Sequence, residues 1–396
     1  MAKLSIKDLD LKDKTLFMRV DFNVPLSPDG QEITSDKRIR ESLPSVQYAI
    51  EHCAGVVLAS HLGRPKGNRN PALSLAPVSR RLSELLGRPV TMAPDCIGPE
   101  TLALKPKPGE VLLLENLRFH PEEEANDPDF SKQLGAIADI YVNDAFGSAH
   151  RAHASTVGIV SYVPLAAAGL LMDRELEWLT RVTQDPAHPC VALLGGAKVS
   201  DKIEVIKNLL TVVDTLLIGG AMAYTFLRAK GEPTGKSLVE EDKIELAREL
   251  LDAQGDKLRL PLDHVVVREI KPGAPFEVVK KIGTEQIGVD IGPQTVEAFS
   301  KIIADAKTII WNGPMGIFEM KPFDRGTIEL AKAVADADAV SVVGGGDSEK
   351  AIKNAGVADR ITHVSTGGGA SLEFLGGSEL PGVEALSDRA EAQAIA

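Results

Sequence analysis

Short runs of aliphatic and β-branched residues recur along the chain. Each is broken by polar or glycine residues and followed by apolar positions at helical spacing. In the first half the runs are TLFMRV (15–20), GVVLAS (55–60), EVLLLE (110–115) and DIYVND (139–144). In the second half they are CVALL (190–194), DTLLI (214–218), DHVVV (263–267), KTIIW (307–311), AVSVV (339–343) and THVS (362–365). Continuous apolar runs alternating with helical stretches are the pattern of buried parallel strands covered by helices on both faces. The reading is an α/β protein with two doubly wound, Rossmann-like parallel-sheet domains. Between the two series, LMDRELEWLTRVTQDPAHP (171–189) reads as a linking helix followed by a break at two prolines. The expected organisation is an N-terminal domain over 1–172, a linking helix and hinge over 173–189, and a C-terminal domain from 190 onward. VGIVSYVPLAAAGLLM (157–172) carries Ser161 and Pro164 and falls short of the ~18 apolar residues of a membrane span, so it reads as buried structure.

Composition narrows the function classes. Hydrophobic residues make up 44% and charged residues 25% of the 396, the balance of a globular protein with ample core. A net charge of −12 disfavours nucleic acid and anionic membrane as partners, because their phosphates would be repelled. The three cysteines (Cys53, Cys96 and Cys190) lack CxxC spacing. That excludes a disulfide framework and a cysteine-based zinc site, and suits a reducing cytosol. The start, MAKLSIKDLDLKDKT, has no apolar core of a secretory signal, so a cytoplasmic location is expected.

In open parallel sheets ligands bind beyond the carboxyl ends of the strands. There the first half places Asp21 and Asn23, then His61 and Arg64, then Arg118 and His120, then His150, Arg151 and His153. Arg38, in SDKRIR, sits in a polar break before the next helix. Arginines and histidines clustered in an acidic chain suit a small, multiply anionic ligand, since guanidinium binds phosphate or carboxylate through two parallel hydrogen bonds. HRAH (150–153) has no cysteine or carboxylate in its own motif, so it does not read as a metal site.

The second-half strands are followed by glycines: GGAKVSDK (195–202), GGAMAYTF (219–226), NGPMGIFE (312–319), GGGDSEK (344–350) and GGGASLEF (367–374). Glycine lets backbone approach a ligand, and a helix starting behind it aims free N–H groups at an anion. None of the five fits GxGxxG, which weakens a dinucleotide-dependent dehydrogenase as the alternative. GEPTGKS (231–237) imitates a P-loop, but it has three residues between its glycines where the motif needs four, and it follows a probable helix. The phosphates then need other lysines. Lys198 and Lys202 lie four apart at a helix start, where cations oppose the dipole unless an anion is bound. Asp347 is the candidate anchor for Mg²⁺.

The motifs RVDFNVPL, SDKRIRESLP, ASHLGRPKG, LENLRFHPEE, NDAFGSAHRAHASTVG, GGAKVSDK, WNGPMGIFE, GGGDS and STGGGASLEFL run in this order through nearly the whole chain. Together they resemble phosphoglycerate kinase. The resemblance implies reversible phosphoryl transfer from 1,3-bisphosphoglycerate to MgADP, giving 3-phosphoglycerate and MgATP. It implies a monomer whose two domains face each other across a cleft, with residues 377–396 returning to the N-terminal domain and the C-terminal domain ending at 376. It places Asp21, Asn23, Arg38, His61, Arg64, Arg118 and Arg151 around the phosphoglycerate, and Lys198 and Lys202 on the nucleotide phosphates and the phosphoryl in flight. Glu319 would contact the ribose, Gly219, Gly220 and Pro314 would border the adenine, and Gly345, Gly346, Asp347 and Ser348 would hold phosphates and Mg²⁺. Gly367, Gly368 and Gly369 would present helix-end N–H groups to the transferring group. Ala221 stands where many members carry a third glycine, and Ser148 replaces a common threonine. A non-catalytic binding module would have lost Lys198, Lys202 or Asp347, and all three are present.

Overall fold

The structure, a computed structural model, describes residues 3–52 and 54–389; Cys53 and the last part of the predicted returning segment lie outside them. The chain forms two compact units. The first takes its described residues from 3–176 and 379–389, and the second is Glu177–Ser378.

In the first unit six strands form one sheet: β1 (Thr15–Arg19), β2 (Gly55–Ala59), β3 (Val90–Met92), β4 (Val111–Leu113), β5 (Ile140–Asn143) and β6 (Ala166–Ala168). Their order is β3-β4-β2-β1-β5-β6 and every pairing is parallel. Alternate residues of β1 and β2 (Leu16, Met18, Val56 and Leu58) share a core with Ile39, Val46 and Ala49 of the helix Lys37–Glu51. On the opposite face Phe17 stacks on Tyr141. Burying one such aliphatic side chain contributes about 1.5–3 kcal/mol, which is why these runs tolerate so few polar residues. Arg19 is the exception inside β1, and it is buried.

The second unit holds β7 (Cys190–Leu194), β8 (Thr215–Ile218), β9 (Leu258–Arg259), β10 (His264–Val267), β11 (Glu277–Val279), β12 (Ile287–Ile291), β13 (Thr308–Asn312), β14 (Val340–Gly344) and β15 (His363–Val364). Six of them form a parallel sheet in the order β15-β14-β13-β7-β8-β9. Each run predicted as a strand is one. The run DHVVV departs from expectation in its sheet: β10 lies in a separate three-stranded antiparallel sheet, β11-β10-β12. A run with both faces covered looks the same in either setting, so periodicity cannot separate them. The strands β3, β6, β9, β11 and β12 were not predicted. Two or three residues, or a strand broken by Gly288, give too little pattern.

The helix Leu170–Gln184 starts just before the predicted linking segment and continues across the division between the units, which falls at Leu176/Glu177 within it. Residues 379–389 pack in the first unit, where Leu4 N–H donates to the Ser387 carbonyl at 2.8 Å and Gly382 N–H to that of Ala149 at 2.8 Å. Among the described residues no helix is long and apolar enough to cross a membrane.

Candidate active site

In the first unit the predicted anion-binding residues stand beyond β4, β2, β1 and β5, four neighbouring strands. Arg38 lies in the first turn of the helix Lys37–Glu51, one step further in than the polar break expected from sequence. Its Nη1 is 2.5 Å from Asp21 Oδ2, across from the end of β1. Asn23 Oδ1 accepts the Gly63 N–H at 2.9 Å, and the Gly63 carbonyl accepts from Arg118 Nη1 at 3.0 Å. One turn after β2 therefore fixes both Asn23 and Arg118. Arg151 Nε sits 3.1 Å from His150 Nε2. Arg64, on the same turn as Gly63, is exposed and makes no ion pair among the described residues.

Arg19 organises this cluster from beneath. Its Nη2 is 3.1 Å from His61 Nδ1, and its Nε donates to Ser155 Oγ at 2.8 Å. Ser155 in turn donates to the buried Glu123 carboxylate through Oγ at 2.6 Å and N–H at 2.9 Å. Burial, followed by the Arg19 charge, holds the His61 imidazole well below its ordinary range. Burial with Arg19, Arg118 and Arg151 drops His153 to about 4. Both histidines are neutral at pH 7, so arginines carry the positive field. Burial would raise the Asp21 carboxyl, yet its neighbours His61, Arg38 and Arg19 hold it below the usual carboxylate range. Lowered histidines here are the sign of a local positive field set by the arginines together with burial.

In the second unit the glycine turns follow β7, β8, β13, β14 and β15, all in the parallel sheet. Four of these glycines, Gly195, Gly219, Gly220 and Gly313, are explained by packing of one turn on another. A Cβ at Gly220, which has φ +66°, would lie 2.5 Å from the Gly196 backbone. One at Gly219 would meet Met315 Sδ at 2.3 Å. Gly346 and Gly368 differ, because a Cβ there would meet nothing within 4 Å. Gly345 and Gly346 open the helix Gly346–Asn354, and Gly368 and Gly369 open Gly369–Leu375, so there is free space beside the start of each helix, although the Ala370 N–H already donates to Gly367 O at 3.0 Å. NGPMGIFE departs from expectation in having no helix directly behind it. Its turn is held by Trp311 Nε1–H donating to Gly313 O at 2.7 Å and by Gly313 N–H donating to Ser348 Oγ at 2.6 Å. Ser348 is thus buried and engaged with a turn, so its hydroxyl is not displayed at the surface.

Lys198 and Lys202 do not share a helix face. Lys198 precedes a single 3₁₀ turn, Ser200–Lys202, and the helix Ile203–Val212 starts only after it. Lys198 is exposed, whereas Lys202 is buried and its Nζ donates to both the carbonyl and Oδ1 of Asn312. Burial pushes the Lys202 ammonium down to about 8, against the pull of Asp201 and Asp347. A cavity of about 480 Å³ lies beside these turns, lined among others by Gly220, Ala221, Met315, Pro314, Glu319 and Asp347. The Ala221 methyl therefore belongs to the cavity wall. Lys236 reaches the same cavity from GEPTGKS, with its ammonium paired to Glu285 Oε2 at 2.5 Å. That segment follows the helix Met222–Ala229, and Thr234 bridges Ile282, so it is no phosphate loop.

Sequence reasoning left Arg19, Asn116, Glu123 and Ser155 without roles. Asn116 Oδ1 accepts the N–H groups of Leu62 and Arg118, and its Nδ2 donates to Leu62 O at 2.7 Å, tying the β2 and β4 turns together. The one readable signal was Arg19, a charge inside an otherwise apolar strand.

A model of the phosphoglycerate kinase family matches residues 6–378. The phosphoglycerate kinase of Solibacter usitatus is 69% identical over 389 residues, covering 98% of this chain and all of the relative. That of Moorella thermoacetica is 55% identical over 396 residues, with the same coverage. Among solved structures, phosphoglycerate kinase from Coxiella burnetii superposes with a TM-score of 0.90 at 41% identity, covering 97% of this chain and 98% of that one. The enzyme from Pyrococcus horikoshii OT3 gives 0.84 at 37% identity, with the same coverage.

Proposed function

The chain belongs to the phosphoglycerate kinase family, and from that premise we propose how its two units divide the work. The reaction is the family's reversible phosphoryl transfer between 1,3-bisphosphoglycerate and ADP. The arginine cluster of the first unit binds the phosphoglycerate, through Arg38, Arg64, Arg118 and Arg151, with Asp21, Asn23 and His61 orienting them. The cavity of the second unit takes the nucleotide: Gly219, Gly220, Ala221 and Pro314 against the base, Glu319 on the ribose. Lys198, Lys202 and the open helix ends at Gly345–Gly346 and Gly368–Gly369 meet the phosphates. The observation that carries this reading is the contrast between the units: a guanidinium cluster with its histidines held neutral in one, and a cavity lined by glycine turns and by Asp347, in the first turn of the helix Gly346–Asn354, in the other.

The chemistry asks for alignment and charge. A substrate carboxylate oxygen and a β-phosphate oxygen must lie in line with phosphorus, and the equatorial oxygens need cations and N–H donors. No protein nucleophile is needed, and no phospho-enzyme forms. Asp347 is exposed and makes no hydrogen bond or ion pair among the described residues. An unspent carboxylate beside the cavity fits magnesium, a hard ion that takes one or two carboxylates. Asp347 would hold Mg²⁺, which when bound supplies neutralising charge to the nucleotide oxygens. The protein acts as a cytoplasmic monomer.

Lys202 gives the direct test. In the free protein at pH 8 about half of it is protonated, given its value of about 8. Phosphate oxygens raise that value again, so on nucleotide binding at pH 8 Lys202 takes up about half a proton, and its share falls to none near pH 6. Calorimetric titration of ADP in buffers of different ionisation enthalpy measures this directly. Proton release, or uptake unchanged in Lys202→Met, would remove Lys202 from the phosphate site.

Because the two ligand sets belong to separate compact units, we propose that domain closure about the Leu170–Gln184 region brings the substrates together and excludes water from the acyl phosphate. Small-angle X-ray scattering is expected to show a smaller radius of gyration with both substrates than with either alone. An unchanged radius with both bound rules closure out.

A further inference from the structure

We propose that Asp95, Cys96 and His120 form a binding site for a divalent cation of the zinc class, at a place where no role has been assigned above.

β3 and β4 pair in parallel, and Ala93, just past β3, donates its N–H to the carbonyl of Leu113, the last residue of β4, at 2.9 Å. The segments that follow, 93–96 and 115–120, therefore leave the sheet side by side. They bring one carboxylate, one thiol and one imidazole together, with a ligand atom from each lying within 4.8 Å of the others. Asp95 Oδ1 is 2.6 Å from His120 Nε2 and 2.6 Å from the Cys96 N–H nitrogen. Cys96 Sγ lies on the same side, 2.9 Å from the Glu115 carbonyl oxygen. Arg69 approaches the other oxygen, Oδ2, at 3.7 Å, and leaves Oδ1 to the cluster.

Zinc bonds are about 2.3 Å to sulfur, 2.0–2.1 Å to imidazole and 2.0–2.2 Å to carboxylate, so ligand atoms around one ion stand about 3–4 Å apart. The cluster already meets this spacing within about an ångström, and the adjustment consists of parting the Asp95–His120 hydrogen bond. One thiolate and one imidazole discriminate against magnesium and calcium, which prefer oxygen alone. The Cys96 proton leaves on binding and its bond to Glu115 O is replaced by the metal–sulfur bond. An entry path exists, since the Asp95 and His120 side chains are 35% and 24% exposed while Cys96 is buried. This differs from the sequence expectation: missing CxxC spacing speaks against a site built from several cysteines, whereas here one cysteine joins Asp95 and His120, and His120 lies 24 positions beyond Cys96, so only the pairing of β3 with β4 unites them.

Occupancy has a consequence for the loop. His120 closes the 3₁₀ turn Leu117–Phe119, its N–H donating to Leu117 O at 3.2 Å, and that turn carries Arg118. A bound cation stiffens the segment from its far side.

The test is titration of the full, chelator-stripped chain with Cd²⁺, followed by the ultraviolet thiolate-to-cadmium charge-transfer band. The expected result is a band saturating at one ion per chain, displaced by Zn²⁺ and untouched by Mg²⁺. Cys96→Ser abolishes the band although Cys53 and Cys190 remain. His120→Ala keeps the thiol but weakens binding by at least about tenfold. Circular dichroism confirms that each variant is folded, and if Cys96→Ser is not, Asp95→Asn takes its place with the same expected weakening as His120→Ala. A wild-type chain without the band, a band that survives in Cys96→Ser, displacement by Mg²⁺, or unchanged affinity in His120→Ala overturns the proposal.

Discussion

Arg38→Ala is expected to lower kcat by about two decades, on the order of 3 kcal/mol in activation free energy, with the fold intact. Three features of the structure lead to that figure. The residue occupies the first turn of a 15-residue helix, where a cation opposes the helix dipole and contributes nothing to helix stability. Its guanidinium pairs with Asp21, and its side chain is 40% exposed, so removing it opens no core cavity and should cost the fold well under about 1 kcal/mol. What remains to explain its position is charge delivered to a bound anion. A guanidinium held by Asp21 is oriented before substrate arrives, so the loss should appear in kcat more than in KM. Arg38→Lys restores charge but not the two-pronged geometry, and is expected to recover only part of the rate. The measurement is steady-state kinetics of ATP formation from 1,3-bisphosphoglycerate, beside thermal unfolding. A folded Arg38→Ala enzyme turning over at near the wild-type rate would end the assignment.

The two ligand sets were legible in the sequence to different depths. Asp21, His61, Arg118 and Arg151 follow apolar runs directly, and the rule that strand ends carry sites was enough to group them. The glycine turns were visible in the same way, but their reasons were not. The close approach of Gly220 to Gly196 is a fact of neighbouring turns on adjacent strands, and no spacing along the chain encodes it. Lys198 and Lys202 show the limit of helical arithmetic. A separation of four puts residues on one face only if the helix has already begun, and here a 3₁₀ turn intervenes. The antiparallel sheet around β10 was hidden for a related reason, since β10 is covered on both faces while β11 is only three residues long and β12 is broken by Gly288. What sequence could least reveal was the layer that holds the site in place. Asn116 reaches Leu62 and Leu73 across more than forty positions, and nothing about an asparagine in a loop announces that reach.

That hidden layer sets the second large effect. Arg19→Met is expected to destabilise the first unit by about 3–5 kcal/mol, the usual cost of removing one partner from a buried charged network. Arg19 is 1% exposed and Glu123 is wholly buried, so the mutant retains a carboxylate inside the protein with only the weaker influence of Arg118 and the His153 ring, 4.0 Å away, to offset it. Burial already raises the Glu123 carboxyl, and Arg19 is the largest influence opposing that rise. Without Arg19 the folded-state value climbs further above that of the unfolded chain. Between those two values the native state binds a proton that the unfolded chain has lost, so stability falls as pH rises. The deficit should therefore be smaller near pH 5 than near pH 8, opposite to an ordinary acid-denaturing carboxylate. Both tryptophans, Trp178 and Trp311, belong to the second unit, so their emission reports the unaltered half of the molecule. Hydrogen exchange of β1 and β2 amides reports the altered half. Faster exchange there, with tryptophan unfolding unchanged and the gap closing at low pH, is the expected pattern. Ser155→Ala should produce a smaller version of it, since it removes the hydroxyl between the two charges and leaves both in place. A pH-independent deficit would mean that Arg19 serves only as packing, and the positive field above it would then have to rest on Arg38, Arg118 and Arg151 alone.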